Sequence, residues 1–226
     1  MQVRNYPDIR DSLKTGDIVL YSGKGAISTG IKWSTFSRWS HVAMILNLED
    51  YDFLALWEPA TLGETKSSGS NEPRKGVKLT PLSDIVSCHS GEMVVRRLRG
   101  VTLNGVDMQR LMRFRAEIKG RRYDQGQLAL IGSAYVGPFG LNDIDLTSLF
   151  CSQLLAETYQ QLGLLSEGKS ANEYMPADFS EKRDGGLRLL RGSLDPEILI
   201  RDAPVRVPDM TVQRTTRVVN PEFENF

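Results

Sequence analysis

Cys151 is the residue of this sequence with the most evident chemistry, and it stands in the segment SLFCSQLLAETYQQLGLL. Leu154, Leu155, Thr158 and Leu162 follow it at helical spacing, which predicts an amphipathic helix whose inward face starts at the thiol. The thiolate of a cysteine is a strong nucleophile. On the helix pattern alone, however, a cysteine buried as a small hydrophobic residue is the commoner interpretation.

Thr147 and Ser148 come just before Cys151 and belong to the residue types that cap the exposed amides of a helix start. We therefore expect Cys151 in the first turn of its helix. A helix N-terminus carries partial positive charge, which favours a thiolate over a thiol and lowers the pKa of a cysteine. The sequence thus predicts a candidate nucleophile at a helix N-terminus.

His41 and Glu58 lie at the outer ends of two predicted strands that can form a hairpin. His41 opens the apolar run Val42 to Leu46, and the next strand, FLALWEPA, ends in Glu58 and Pro59. In an antiparallel hairpin the start of the first strand meets the end of the second, so these two side chains are expected to be neighbours. A carboxylate there can hold an imidazole in one tautomer and orientation. Taken in isolation, a half-exposed histidine and a solvated glutamate are the commoner outcome.

Further strands and helices are predicted around these residues by β-branched runs and by helical spacing. SGKGAISTG lacks the ending of a phosphate-binding loop, and TLGETKSSGSNEPRKG has the composition of a surface loop. The predicted strands are Ile18 to Tyr21, Val77 to Leu79 and a run around Val94 and Val95; a helical turn is expected near Ser83 and a helix from Asn104 to Gly120.

The composition predicts one soluble domain. Lys plus Arg and Asp plus Glu each number 28 in 226 residues, which argues against a general nucleic-acid-binding protein. The first residues lack the apolar run of a secretory signal, and the stretch from Leu128 to Leu141 is too short and too rich in glycine to span a bilayer. We therefore expect a cytoplasmic location. Cys88 and Cys151 are expected to be free thiols, and we interpret Cys88, next to His89, as structural.

Several segments resemble one family when they are taken together and in order. GDIVL, WSHVAMI, WEPA, a helix followed by RRYD, and FCSQLLAETYQQLGL are similar to the circularly permuted NlpC-type papain-like cysteine hydrolases, a group with YiiX-like and YaeF-like members. Such permuted enzymes place the histidine early and the cysteine late, which is the order found here. The similarity runs from about Thr15 to Phe179, and MPADF resembles the stretch after the family's cysteine helix.

The resemblance implies an α+β fold of the permuted papain-like kind, with an antiparallel sheet or small barrel packed against helices and the nucleophile at a helix N-terminus. It implies that Cys151 is the nucleophile, His41 the base and then the acid, and Glu58 the group that orients His41. Tyr123 matches the family's YD position and receives a supporting role in substrate binding. Gln153 stands where the family often has glutamate, and we assign it no chemistry. The resemblance implies neither a cofactor nor a metal.

The function expected from these residues is cleavage of an amide bond in a peptide, a cell-wall peptide, or a lipid or amino-acid amide, through an acyl-enzyme. The backbone amide of Cys151 is expected to stabilise the oxyanion. Two alternatives stay open. The same cysteine can transfer its acyl group to a lipid or amine acceptor, or the protein can be a binding or structural protein that keeps the fold without turnover.

The chain is expected to divide into two parts. Residues 1–186 form the hydrolase domain, and residues 187–226 form a C-terminal extension that packs on the domain or mediates assembly. The sequence leaves the oligomeric state open.

Overall fold

The structure is a computed structural model, and it describes residues 1–22, 38–59, 77–118, 146–181 and 187–202 of the 226-residue chain. Tyr123 and the stretch from Leu128 to Leu141 lie outside these ranges. Within them, the helices fall short of the length and apolar character that crossing a membrane requires.

The described part of the chain contains a seven-stranded sheet and a separate two-stranded ribbon. In the large sheet the β1–β9 pair is parallel and the other pairs are antiparallel. The strands are β1 (Gln2–Asn5), β2 (Ile18–Tyr21), β3 (His41–Leu48), β4 (Phe53–Pro59), β5 (Val77–Pro81), β6 (Met93–Arg96), β7 (Leu98–Arg99), β8 (Ser193–Leu194) and β9 (Ile198–Arg201). The order in the large sheet is β1-β9-β6-β2-β3-β4-β5, and β7 pairs with β8.

The described α-helices lie between these strands in the sequence. They are α1 (Tyr6–Ile9), α2 (Leu82–Cys88), α3 (Gly105–Ile118) and α4 (Leu146–Gln161). Together the sheet and helices make a mixed α+β fold, which confirms the predicted class.

The start of α3 follows from two side chains that bond to backbone amides reciprocally. Asn104 Oδ1 accepts hydrogen bonds from the amides of Val106 and Asp107, at 2.9 and 3.2 Å. Asp107 Oδ2 in turn accepts one from the amide of Asn104, at 3.1 Å. These bonds satisfy amides that a helix start leaves without intrahelical partners, so the helix begins where the sequence predicts it.

Strand β3 is buried on both faces of the sheet. Val42 and Met44 belong to a hydrophobic cluster that includes Leu155 of α4, whereas Ala43 belongs to a second cluster that includes Val86 of α2. A strand covered on both sides reads as a continuous apolar run. This explains why HVAMIL lacks the polar alternation of a strand with one wet face.

The helix α4 confirms one part of the sequence prediction and corrects another. Cys151 and the other four positions of the predicted inward face are buried. However, α4 begins at Leu146, so Cys151 lies in its second turn, and the prediction of a first-turn cysteine at a helix N-terminus is wrong. Thr147 and Ser148 lie inside the helix and not before it, because residues of their type are tolerated in helices as well as favoured at caps.

Residues beyond 187 take part in the large sheet. Strand β9 lies between β1 and β6, pairing in parallel with β1 and antiparallel to β6. Leu199 of this strand is buried in the same cluster as Leu155. Part of the segment expected to be a C-terminal extension is therefore a strand inside the sheet.

Candidate active site

Four adjacent strands present polar side chains on one face near the end of the sheet. Tyr21 of β2 lies directly opposite His41 of β3, and Glu58 of β4 lies directly opposite Lys78 of β5. Side chains that are opposite one another, or two residues apart along a strand, share a face of the sheet. The register of β3 and β4 places His41 and Glu58 on the same face, and Thr80 follows Lys78 by two residues. The site is thus assembled by strand register.

His41 and Glu58 are hydrogen-bonded, as the predicted hairpin requires. Nε2 of His41 lies 3.1 Å from Oε2 of Glu58. Both side chains are largely buried, with 13% of His41 and 4% of Glu58 exposed. At that burial, water screens the pair much less than it screens an ion pair on the surface.

Cys151 lies against the other side of His41. The Cys151 thiol is close enough to the imidazole to raise its pKa through its charge and as a hydrogen-bonding partner. Because Nε2 faces Glu58, Nδ1 is the ring nitrogen left to exchange a proton with the sulfur. The backbone amide of Val42 also donates to the Cys151 Sγ, at 3.4 Å. Cys151 itself is 1% exposed.

The Val42 amide is available for this bond because of where the β3–β4 ladder stops. The final pair at this end of the ladder is Met44 with Trp57, two residues beyond Val42. The start of β3 is therefore unpaired on that side, and α4 delivers the Cys151 sulfur to it. The backbone donor beside the sulfur is therefore the Val42 amide of β3, whereas the sequence predicted the amides of a helix N-terminus.

The surroundings of His41 and Glu58 favour the charged form of each side chain. Burial opposes the imidazolium, but the charge and hydrogen bond of Cys151, together with those of Glu58, raise the pKa of His41 to about 10. Burial likewise opposes the Glu58 carboxylate, but the hydrogen bond and charge of His41, with help from Thr80 and Lys78, lower the pKa of Glu58 to about 2. Near neutral pH the site therefore holds an imidazolium next to the ionised Glu58 carboxylate.

Glu58 has a donor or a cation at each carboxylate oxygen. Oε2 accepts hydrogen bonds from His41 Nε2 and from the Tyr21 hydroxyl, the latter at 3.0 Å. Oε1 accepts one from the Thr80 hydroxyl at 2.6 Å, and the Lys78 ammonium lies 3.6 Å away from it. A buried carboxylate with this set of partners is held in one orientation.

Sequence reasoning missed Tyr21, Thr80 and Lys78. Their signal is the alternation of side chains along β2 and β5, which becomes informative only once the register with β3 and β4 is known. Tyr123, by contrast, was singled out from the sequence, and it lies outside the described residues.

Because Cys151 lies in the second turn of α4, its backbone amide is not free to stabilise an oxyanion as the sequence predicted. The first four amides of a helix lack intrahelical partners, and the amide of the sixth residue bonds to the carbonyl four residues earlier. The Cys151 amide is therefore occupied within α4, so it does not serve as the expected oxyanion donor. The helix dipole is also strongest in the first turn.

Within the described ranges, no group of three or more histidine, cysteine, aspartate or glutamate side chains is arranged to hold a metal ion. Cys88 is exposed, which contradicts its interpretation as a structural cysteine.

Comparisons with known proteins place few constraints on the site. No family model matches the chain, and no curated protein matches it. Among solved structures, the chain is similar to the metalloprotein YiiX from Escherichia coli O157:H7, with 24% sequence identity and a TM-score of 0.42. The similarity covers 66% of this chain and 66% of the YiiX chain. The interpretation of the site therefore rests on the geometry of this chain.

Proposed function

We propose that the protein is a thiol hydrolase that cleaves an amide bond, with Cys151 as the nucleophile, His41 as the base and then the acid, and Glu58 as the group that orients His41. The observation that carries this proposal is the position of one imidazole between a thiol and a buried carboxylate. Nucleophile, base and orienting group within hydrogen-bond reach are the requirements of covalent catalysis by a cysteine.

In the first half of the reaction, His41 already holds the proton of the Cys151 thiol, and the Cys151 thiolate attacks the carbonyl carbon of the amide. A carbon–sulfur bond forms, and the carbonyl π electrons move to the oxygen. The intermediate collapses, the carbon–nitrogen bond breaks, and His41 gives its proton to the departing amine. A thioester of Cys151 remains. The Val42 amide supports the thiolate before the attack, because hydrogen bonds to a charged form stabilise it.

In the second half, His41 accepts a proton from water, and the resulting hydroxide equivalent attacks the thioester carbonyl. Collapse of this intermediate breaks the carbon–sulfur bond, releases a carboxylic acid, and returns the proton from His41 to the Cys151 sulfur. Glu58 stays ionised throughout and stabilises the imidazolium each time it forms. Its low pKa is consistent with that role.

The chain offers a matched pair of cysteines for the first test, since Cys88 and Cys151 are its only cysteines. A fluorescent iodoacetamide probe at pH 6 should label wild type and Cys88→Ala, whereas Cys151→Ala should lose that labelling. Ordinary thiols, with a pKa of about 8.5, react slowly at this pH. Equal labelling of wild type and Cys151→Ala at pH 6 would remove the basis for the proposed nucleophile.

Acyl transfer through the same cysteine is the nearest alternative. A cysteine that is 1% exposed and packed among apolar side chains suits an acyl-enzyme from which water is partly excluded. An amine or alcohol acceptor would then compete with water for the thioester. Once a substrate is found, mass spectrometry of the products in the presence of an added amine distinguishes the two, because hydrolysis leaves only the free acid.

A binding or structural protein that retains the fold is the alternative from another class. It would have no need for an imidazolium next to the thiol. In that case, replacing His41 would leave the alkylation rate of Cys151 unchanged.

A further inference from the structure

Tyr21 contacts both the candidate base, His41, and the carboxylate of Glu58 that orients it. It stands at the end of β2, directly opposite His41 in the ladder. Its hydroxyl donates to Glu58 Oε2 at 3.0 Å, the same oxygen that contacts His41 Nε2. Its ring lies 4.4 Å from the imidazole, measured between centroids, with the two planes tilted by 44°. One side chain therefore contacts both the carboxylate and the imidazole.

The arrangement restricts two rotations. Rotation of the Glu58 carboxylate is opposed at Oε2 by Tyr21 and at Oε1 by Thr80, because turning it would break both hydrogen bonds. Rotation of the imidazole is opposed by the Tyr21 ring that packs against it. A base must face its proton donor within hydrogen-bond reach, so both restrictions favour the contact between His41 and Cys151.

Tyr21 is itself held from behind by the second histidine of the chain. The ring of His89 lies 5.2 Å from the Tyr21 ring in an edge-on arrangement, with an interplanar angle of 71°. His89 Nε2 lies 3.1 Å from the carbonyl oxygen of Ser22, the residue after Tyr21. Aromatic contacts of this geometry are favourable. They keep the Tyr21 ring from moving away from His41.

We propose that Tyr21 is a positioning residue of the candidate site: its hydroxyl orients the Glu58 carboxylate and its ring orients the His41 imidazole. This rests on the proposed function, because Tyr21 acts through His41 and Glu58. In the steps described it transfers no proton and forms no bond, so it is a positioning residue and not a catalytic one. Loss of the Tyr21 contacts should make the charged imidazolium of His41 less stable, and therefore also the Cys151 thiolate that it stabilises.

The test uses the full chain with Cys88→Ala, so that iodoacetamide alkylates Cys151 alone. Tyr21→Phe keeps the ring and removes the hydroxyl. We expect alkylation at pH 6 to become roughly tenfold slower, the effect of losing one hydrogen bond to a charged group. At pH 9 the decrease in rate should be smaller, because the thiol then loses its proton to solvent without help from His41. Tyr51→Phe is the matched control, since Tyr51 is 81% exposed.

A purely structural role makes a different prediction. It would lower the melting temperature of Tyr21→Phe and leave the ratio of the alkylation rates at pH 6 and pH 9 unchanged. That result would overturn the proposal, as would a Tyr21→Phe rate equal to that of Tyr51→Phe.

A double-mutant cycle tests whether Tyr21 acts through Glu58. If it does, Tyr21→Phe added to Glu58→Gln should slow alkylation little beyond Glu58→Gln alone, because the charged acceptor is already gone. Independent, multiplicative effects of the two changes would overturn the proposal.

The two proposals can fail separately. If His41→Gln slows alkylation and Tyr21→Phe does not, the positioning role is wrong and the proposed function stands. If His41→Gln leaves the rate unchanged, both are wrong.

Discussion

Two cysteine–histidine pairs can be drawn in this chain, and they lie in very different surroundings. Cys88 and His89 are neighbours in sequence at the end of α2, where Cys88 is exposed. The Cys88 sulfur lies 3.8 Å from the Ser87 hydroxyl, and His89 turns to the Ser22 carbonyl. Cys151 and His41 are far apart in sequence, yet the Cys151 thiol lies near enough to the His41 imidazole to raise its pKa. The side chains of Cys88 and His89 have different partners although the residues are adjacent, whereas the fold brings Cys151 near His41.

The contrast teaches that a reactive cysteine depends on what surrounds its histidine. His41 has a buried carboxylate on one side and a thiol on the other, so its positive charge is stabilised at both ring nitrogens. His89 Nε2 faces a neutral carbonyl oxygen, so it acts there as a donor. The comparison therefore predicts that changes around His41 alter the chemistry of Cys151, whereas equivalent changes around His89 leave it nearly unaltered.

The largest effect should come from His41→Gln. In the Cys88→Ala chain at pH 6, we expect alkylation of Cys151 by iodoacetamide to slow on the order of a hundredfold, the lower end of what a positioned acid–base group contributes. The reason is that glutamine provides no positive charge to stabilise the thiolate.

His89→Gln is the matched control, measured with the same reagent by intact-protein mass spectrometry. It should change the Cys151 rate by less than about threefold, because the contact of His89 with the Tyr21 ring is one step removed from His41. If His41→Gln and His89→Gln slowed alkylation of Cys151 equally, the proposed difference between the two histidines would be wrong.

A smaller effect is expected from Glu58→Gln. The amide keeps the shape of the side chain and removes the charge, so alkylation of Cys151 should slow roughly tenfold, the value of one charge-assisted hydrogen bond. The same kinetic assay measures it. Glu49→Gln, at the exposed turn between β3 and β4, should be alkylated at the same rate as the Cys88→Ala chain. If the rates of Glu58→Gln and Glu49→Gln were the same, Glu58 would not act through His41.

The smallest effect concerns the pH dependence of stability. The pKa of His41 is raised from 6.5 to about 10, so the stabilisation it provides is complete below pH 6.5 and is lost as pH rises through about 10. The pKa of Glu58 is lowered from 4.5 to about 2, so its contribution is present above pH 4.5 and is lost as pH falls through about 2. The two together stabilise the fold most between pH 4.5 and 6.5.

Thermal unfolding of wild type and His41→Gln across this range measures the effect. The melting-temperature advantage of wild type should be greatest near pH 5 to 6 and decline toward pH 10. A wild-type advantage over His41→Gln that increases with pH would contradict the assigned charges.

Much of the candidate site could be predicted from local pattern. The hairpin of β3 and β4 is short and sequential, so the meeting of His41 and Glu58 follows from the polarity of the two strands. The inward face of α4 follows from helical spacing alone. The α+β class likewise follows from strands β2 to β6 and helices α3 and α4, which are visible as local runs in the sequence.

The remainder depends on long-range pairing, which local patterns do not encode. Strand β9 joins the sheet from near the end of the described chain, between β1 and β6. Tyr21, Thr80 and Lys78 reach Glu58 because of the register between strands, which is determined by packing across the whole sheet. The start of α4 was mispredicted because threonine and serine are compatible with a cap and with a helix interior.

The most direct test of the central claim compares both cysteines in one unmodified molecule. Alkylation rates of Cys151 and Cys88 are measured by peptide mass spectrometry from pH 5 to pH 10. If His41 stabilises a thiolate at Cys151, the Cys151 rate should change little between pH 6 and pH 8, because the reactive form is already present. A Cys151 rate that instead falls about tenfold for each pH unit below 8, as for a thiol with a pKa of about 8.5, would contradict the account.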